Sequence, residues 1–394
     1  MLKAKVGYST NIDSYIAGTE ASKMISKELN PKFSFVYTSE KNNIKEVINS
    51  LQENIKTPFI GCTSHNGIIV EDGIISSPTG FVGMMSFEDK NMTVGVAIKE
   101  AGKDARAVGR RVAIEAVENA KTTRAPAYFY MVASPKTEEE YLMGIQDVIG
   151  RVPCFGGSAA DEEITENWKI FTNNKIINDG VAVAFFYTDN EIVTAFNGCY
   201  RETNNIGIIT EVKNNRELVS IDGISALRKY ANWLNKSPSS LNGKKLLEIS
   251  AVKPLGVKDP LGNLTIIYHP MFGNDNGTKT TTDDTIILGN KAVTGTAIMQ
   301  LESTVDELID AAGNTLKDVR RQLYTEPAAY ILMHCGARQD AIGERLSEVH
   351  KLLVKEAKGV PFIMAFTYGQ YGYDEHSANI CGGLMLSFTA FGKD

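Results

Sequence analysis

A thiol, a hydroxyl and an imidazole fall within four positions in GCTSHNG (Gly61–Gly67), as Cys62, Thr63 and His65. A cysteine becomes a nucleophile when an imidazole touches it and a third group orients that ring. A small cysteine at a strand end serves equally as packing, so the segment also reads as a ligand-lining loop or a plain turn. The next candidate is FGGSAADEE (Phe155–Glu163). Glycine lets a ligand approach the backbone closely, and the N–H groups around Gly157 and Ser158 suit an anion. GxGxxG spacing and the Lys-Ser/Thr of a phosphate loop are both absent, so nucleotide binding is not supported. The alternative is a turn capped by Ser158 and Asp161.

A third set lies near the C-terminus, in MHCGARQD (Met333–Asp340) and TYGQYGYDEHS (Thr367–Ser377). Cys335 is the second candidate nucleophile. Arg338 at a strand-to-helix junction suits a bidentate grip on a carboxylate, or an ion pair with Asp340 or Glu344 on its own helix. Tyr368, Gln370 and Tyr373 offer hydrogen bonds and an aromatic wall. The five histidines (65, 269, 334, 350 and 376) form no HExxH or paired-ligand spacing, which argues against zinc. A single axial haem ligand needs no motif, and His65, His269, His334 and His376 are the candidates. The carboxylate groups Asp161-Glu162-Glu163 and Asp283-Asp284 are turn-like, with no partner for acid–base work in view.

These residues sit at the ends of repeated elements. PKFSFVYTSE from Pro31, APAYFYMVAS from Ala125 and PAAYILMHCG from Pro327 each read as a strand followed by a helix-forming run. A second, proline-opened strand follows in each: PFIGCTS from Pro58, PCFGGSA from Pro153 and PFIMAFTYG from Pro361. Each then passes through a Gly/Asn/Asp-rich loop to a last strand, GFVGMMSF, DGVAVAFF or CGGLMLSF. The repeat predicts mixed α/β sheets built on β-α-β-loop-β units flanked by helices, at about 31–87, 126–187 and 327–388. Strand ends are where loop side chains converge on a ligand. The unlike tips point to the third unit as the ligand's place, with the first two largely architectural. EDG in GIIVEDGII and NDG at Asn178–Gly180 both read as hairpin turns.

A chain of 394 residues implies more than one core. The division expected is 1–216 and 217–394, near Asn214–Leu218 or the turn-rich NKSPSSLNGKK. Net charge of −6, with no basic footprint, argues against nucleic acid. No apolar run approaches a membrane span, and MLKAKVGYST has no signal core. Five cysteines without CxxC fit reduced thiols and a cytoplasmic location.

FIGCTSHNGIIVEDG, PCFGGSAADEE and NDGVAVAFF, with the Tyr230–Leu234 helix, YHP at Tyr268–Pro270, HCGAR and FTYGQYG, together resemble the FIST family. Its members are sensory proteins with N-terminal and C-terminal FIST domains, and the resemblance covers nearly the whole chain. It implies sensing of a small ligand, an amino acid or a derivative, coupled to a kinase, cyclase or chemoreceptor. The 394 residues leave no room for that output domain, so a separate partner is expected. No cofactor is expected; one branch of the family implies haem and nitric oxide, which makes a gas sensor an alternative. A cysteine enzyme using Cys62 or Cys335 is the other. The expected ligand-binding residues are Arg338, Tyr368, Gln370, Cys335, Gly157, Ser158, Cys62, Thr63 and His65. Gln370 departs from the family's glutamate after Tyr-Gly, which removes a partner for a cationic ligand group.

Overall fold

The computed structural model describes residues 1–258, 265–274, 284–373 and 378–393. His376 and Asp283 lie outside the described residues. The sheets mix parallel and antiparallel strands with helices, as the repeat predicts.

Each unit has two parallel inner strands and an antiparallel return strand. In unit one these are Phe33–Thr38, Phe59–Thr63 and Val82–Glu88. In unit two they are Tyr128–Ala133, Cys154–Ser158 and Gly180–Tyr187. Unit three has Pro327–Cys335, Phe362–Thr367 and Leu386–Gly392. The repeated proline has one role in all three. The carbonyls of Pro58, Pro153 and Pro361 accept from Ser34, Phe129 and Tyr330 N–H at 3.2, 3.0 and 3.0 Å. Proline brings no N–H of its own to be satisfied at that strand entrance.

The repeat is longer than its sequence signal. An outer strand flanks each return strand: Lys3–Ser9, Thr93–Glu100 and Ile192–Asn197. A helix follows the first two outer strands directly, Ser14–Ser26 and Ala105–Ala120. Asp13 caps the first by accepting from Ile16 N–H, as its position before the apolar run predicts. In unit three the corresponding helix is Val305–Gln322, and residues 201–302 intervene as a separate sheet.

The units exchange hairpins in a closed cycle. Ile68–Val70 and Gly73–Ile75, from unit one, extend unit three's sheet beside Phe362–Thr367. Gln370–Tyr373 and Asn379–Gly382, from unit three, extend unit two's sheet beside Cys154–Ser158. Ile170–Thr172 and Ile176–Ile177, from unit two, extend unit one's sheet beside Phe59–Thr63. The turn at Asp72-Gly73 is the hairpin expected. Asn178–Gly180 is instead a corner, because Ile176–Ile177 and Gly180–Tyr187 belong to different sheets. Phe35, Phe155 and Phe391, one from each unit, meet in the shared core at 5.7–6.4 Å.

The intervening sheet closes on itself. Its order runs Thr265–Tyr268, Leu255–Lys258, Ala297–Glu302, Arg201–Lys213, Glu217–Ile221, Thr285–Leu288, Pro270–Asn274. The first and last strands are separated only by His269, so one residue carries the chain across the seam of a barrel. Leu218, Ile221, Tyr230, Leu255, Ile286 and Ile298 belong to one buried cluster. Asn214 and Asn215, read as linker residues, are the left-handed pair (φ 49° and 61°) of the turn joining two barrel strands.

Candidate ligand cavity

The inner-strand ends of all three units open toward the barrel and enclose a cavity of about 620 Å³. That volume suits a small organic ligand. Unit one contributes His65, unit two Glu138 and the Glu162–Trp168 loop, and unit three Cys335, Asp340 and Tyr368. The barrel closes it with Arg216, His269, Met271, Leu288 and Asn290. No single unit owns the site, contrary to the expectation that the third would.

His65 ties the three tips together. Its Nδ1 lies 2.8 Å from the Asp161 carbonyl of unit two, and its Nε2 lies 2.8 Å from Asp340 Oδ1 of unit three. Both partners accept, so a ring donating to both is an imidazolium. The Asn66 carboxamide, 3.0 Å from Nε2, can turn its oxygen toward the same proton. Burial pulls the imidazole pKa down, but the hydrogen bond and charge of Asp340 and the Asp161 carbonyl outweigh it and raise it above its ordinary value. The ring also packs on Gly336, where a Cβ would lie 3.1 Å from it.

Asp161 organises the unit-two loop. Its Oδ2 accepts from Thr165 N–H at 2.9 Å and Asn167 N–H at 2.8 Å, while Tyr368 O–H donates to Oδ1 at 2.5 Å. Burial pushes this carboxyl up, yet those donors hold it below its ordinary value. The resulting turn carries Glu162, Glu163 and Trp168 to the cavity, with the Trp168 ring edge-on to Tyr368 at 6.2 Å.

An ionic clasp joins barrel to units. Arg216 Nη2 donates to Glu138 at 2.8 Å and Glu139 at 2.6 Å, Nε donates to the Lys136 carbonyl at 3.0 Å, and Nη1 donates to the Gly289 carbonyl. Lys291 Nζ reaches Glu140 at 2.9 Å. Burial, then repulsion from Glu138, raises the Glu139 carboxyl to about 7 against the pull of Arg216.

Of the expected site residues, Tyr368, Cys335 and His65 line the cavity. Arg338 stands behind the wall, fully buried, donating to the carbonyls of Gly198, Leu384 and Leu308 at 2.8, 3.1 and 3.3 Å. It pairs neither with a ligand-facing surface nor with Asp340; it fastens the chain on both sides of the barrel insertion to unit three. Gln370 is likewise internal, donating to the Thr367 carbonyl at 3.0 Å and accepting from Met385 N–H at 2.9 Å. Ser158 donates to Glu138 at 2.9 Å beside the Tyr371 hydroxyl, and so supports the clasp from below. Gly157 pairs with Gln370, where a Cβ would lie 2.5 Å from Thr367 Oγ1. Its glycine serves hairpin exchange, not an anion. Thr63 Oγ1 accepts from Lys169 N–H at 2.9 Å. Cys62 is buried in the shared core, its thiol pushed up to about 12 by burial. Burial raises Cys335 as well. Neither cysteine has a hydrogen bond to His65 among the described residues.

Sequence comparison then decides the family. The FIST N domain model matches residues 32–224 and the FIST C domain model matches residues 226–373. The chain belongs to the FIST family. FIST domains are sensory domains of signal transduction. No curated protein matches this FIST chain. Solved structures with low similarity include a cyanuric acid hydrolase from A. caulinodans, at 9% identity over 100% of both chains and a TM-score of 0.35. PurLQS from Thermotoga maritima has 11% identity over 100% of this chain and 72% of that one, with a TM-score of 0.25. Likeness at that level carries no argument. No described helix is long and apolar enough to cross a membrane.

Trp168, Arg216 and Asp340 were not singled out from sequence as cavity residues. Arg216 sits in a turn whose neighbours give no motif, and its partners lie some 78 positions away. Trp168 carried one signal, being one of only two tryptophans.

Proposed function

We propose that this FIST protein is a cytoplasmic sensor that binds an amino acid or a derivative in the cavity between the three units and the barrel. The carrying observation is that the tips of all three units and the barrel seam meet around one space of ligand size. The wall supports an amphipathic ligand, since it holds apolar Met271, Ile287 and Leu288 and the Trp168–Tyr368 pair together with charged Glu163, Arg216 and Lys245. Binding would draw the barrel against the units, and the altered surface would signal to a separate kinase, cyclase or chemoreceptor. Domain closure around a ligand is a common route from binding to output. Thermal-shift screening with amino acids, dipeptides and nucleobases tests this, since a ligand of the folded state raises apparent stability by mass action. A hit whose effect disappears when Ala337→Trp fills the cavity supports the reading; a hit indifferent to it opposes the reading.

Haem is the second reading. Among the described histidines only His269 both lines the cavity and keeps a buried nitrogen without a partner. Burial lowers its pKa to about 3, so the ring is neutral, as an axial ligand must be. His65 has both nitrogens engaged, and His334 lies away from the cavity wall. Reconstitution with haem should give a Soret band that His269→Ala abolishes; no stable band removes this reading.

A further inference from the structure

The barrel has a concavity of its own, at its mouth. A groove of about 970 Å³ there is lined by Thr203, Asn204 and Asn205, by Trp233 at the end of helix Ala226–Trp233, and by Gln300. It shares no residue with the cavity between barrel and units. Barrel mouths are common places for small ligands. Gln300 faces into this one. Ile298 belongs to the barrel's buried cluster, whereas Met299 and Leu301 pack with residues of the third unit. Side chains alternate along a strand, so Gln300 shares the inner face with Ile298.

Strand pairing breaks opposite Gln300. Glu202 pairs with Leu301 and Ile206 with Met299, so Thr203, Asn204 and Asn205 together oppose Gln300 alone. A bulge of this kind re-aims side chains and is common beside binding sites. Thr203 Oγ1 donates to the Gln300 carbonyl at 2.8 Å, and Asn205 Nδ2 donates to its Oε1 at 2.6 Å. Asn204, between them, is exposed, and its side chain makes no hydrogen bond among the described residues. Gln300 is only 4% exposed, yet its Nε2 also makes no hydrogen bond among the described residues. That atom is not one of the unpartnered atoms sealed from solvent, so it is open at the groove that Gln300 lines. Turning both amides together would place oxygen there instead, and one hydrogen-bonding atom stays open either way.

The charges around the groove are already matched. Glu302 takes Lys253 at 2.7 Å and Arg201 at 3.1 Å, Glu202 takes Lys258 at 3.1 Å, and Lys236 and Glu248 are of opposite sign. The groove therefore asks for hydrogen bonds, not for a net charge. A hydroxyl both donates and accepts, so it suits the Gln300 amide in either orientation and replaces a water there without losing its bonds. Trp233, Leu234 and Ile249 carry the barrel's apolar core out to the groove, where C–H groups can pack. We propose that the barrel mouth is a second binding site, for a neutral polyhydroxylated compound, a sugar or polyol, whose hydroxyls bond the carboxamides of Gln300 and Asn204. This site stands independently of the cavity reading.

The protein has two tryptophans, Trp168 and Trp233, so ¹⁵N-indole labelling of the full chain gives two resonances, assigned with Trp233→Phe. The probes are glucose, maltose, trehalose and inositol, with acetylated dipeptide amides as the contrasting set. A sugar or polyol should move the Trp233 indole resonance saturably and leave Trp168 in place. Its affinity should fall at least fivefold in Gln300→Met, which keeps the length and removes the amide, and in Asn204→Ala. Each variant is checked by its ligand-free melt; Asn204→Ala, at an exposed position, decides alone if Gln300→Met fails to fold. Unchanged affinity in Asn204→Ala and in a folded Gln300→Met overturns the site. Trp233 moved by the dipeptide amides and by none of the sugars or polyols overturns the ligand class, and Trp233 moved by neither set overturns the proposal.

Discussion

The three-unit body and the barrel reach the same cavity by different means. In the body, the polar side chains at the cavity are largely committed to one another across units: His65 to Asp161 and Asp340, and Tyr368 to Asp161. Hairpin exchange makes each unit's sheet depend on its neighbour, so these contacts hold the tips in fixed relation. The barrel closes its own sheet through His269, whose Nε2 is buried without a hydrogen-bond partner among the described residues. It grips the body through Arg216 and Lys291, which reach Glu138, Glu139 and Glu140, and through a buried apolar cluster in which Ala251, Ile267, Met299 and Leu301 meet Phe196, Leu384 and Met385. The body's tips are thus tied to one another, and the barrel is a separately built cover over the cavity they line.

The largest effect expected in breaking that contrast is on the body. Arg338→Ala takes their guanidinium donor from the buried Gly198 and Leu384 carbonyls, Leu308 keeping its helical one, and at about 1–3 kcal/mol each the loss should be a large part of an ordinary domain's stability. Urea unfolding should show the whole body destabilised. A stable variant with weakened ligand binding would instead return Arg338 to the ligand. Arg216→Ala comes next, near 3 kcal/mol, since it strands Glu138 and Glu139. Limited proteolysis should then cut near the barrel while body fragments stay protected; uniform cleavage would show that cover and body unfold as one.

Asp340→Asn should have a smaller, pH-dependent effect. His65 has a raised folded-state pKa, so its contribution is full below the ordinary value of 6.5 and disappears as pH rises through the folded value. The variant should melt below wild type at pH 6 and converge with it in alkali. Because Asp340 is more than half exposed, solvent screening keeps the difference to about 1 kcal/mol. A gap that widens with pH would show the ring to be neutral. Glu139→Gln should be milder still. A raised carboxyl contributes stability below its unfolded value of 4.5 that is lost as pH passes about 7, so only wild type should weaken across that window.

The body was legible because its repeat is local. Proline before each second strand, alternation of strand and helix, and the Asp72-Gly73 turn all act within a few residues. Hairpin exchange was not legible, because Ile68–Val70 carries nothing that names Phe362–Thr367 as its partner. The barrel was nearly invisible. Its long strand Arg201–Lys213 has an exposed face rich in polar residues, and the seam at His269 joins edges that only the closed sheet brings together. The same blindness moved the site. Arg338 has the right chemistry for a ligand carboxylate, but burial and three carbonyls claim it, whereas Arg216 gains its place through long-range contacts.

Amide hydrogen exchange with and without a thermal-shift hit tests the central claim most directly. Simultaneous protection of 161–168, 335–340 and 367–369 in the body and of 287–290 in the barrel is the predicted result, because all four segments enclose one ligand. Protection confined to the separate groove lined by Glu202, Asn205, Trp233 and Lys253, with those segments unchanged, would contradict it.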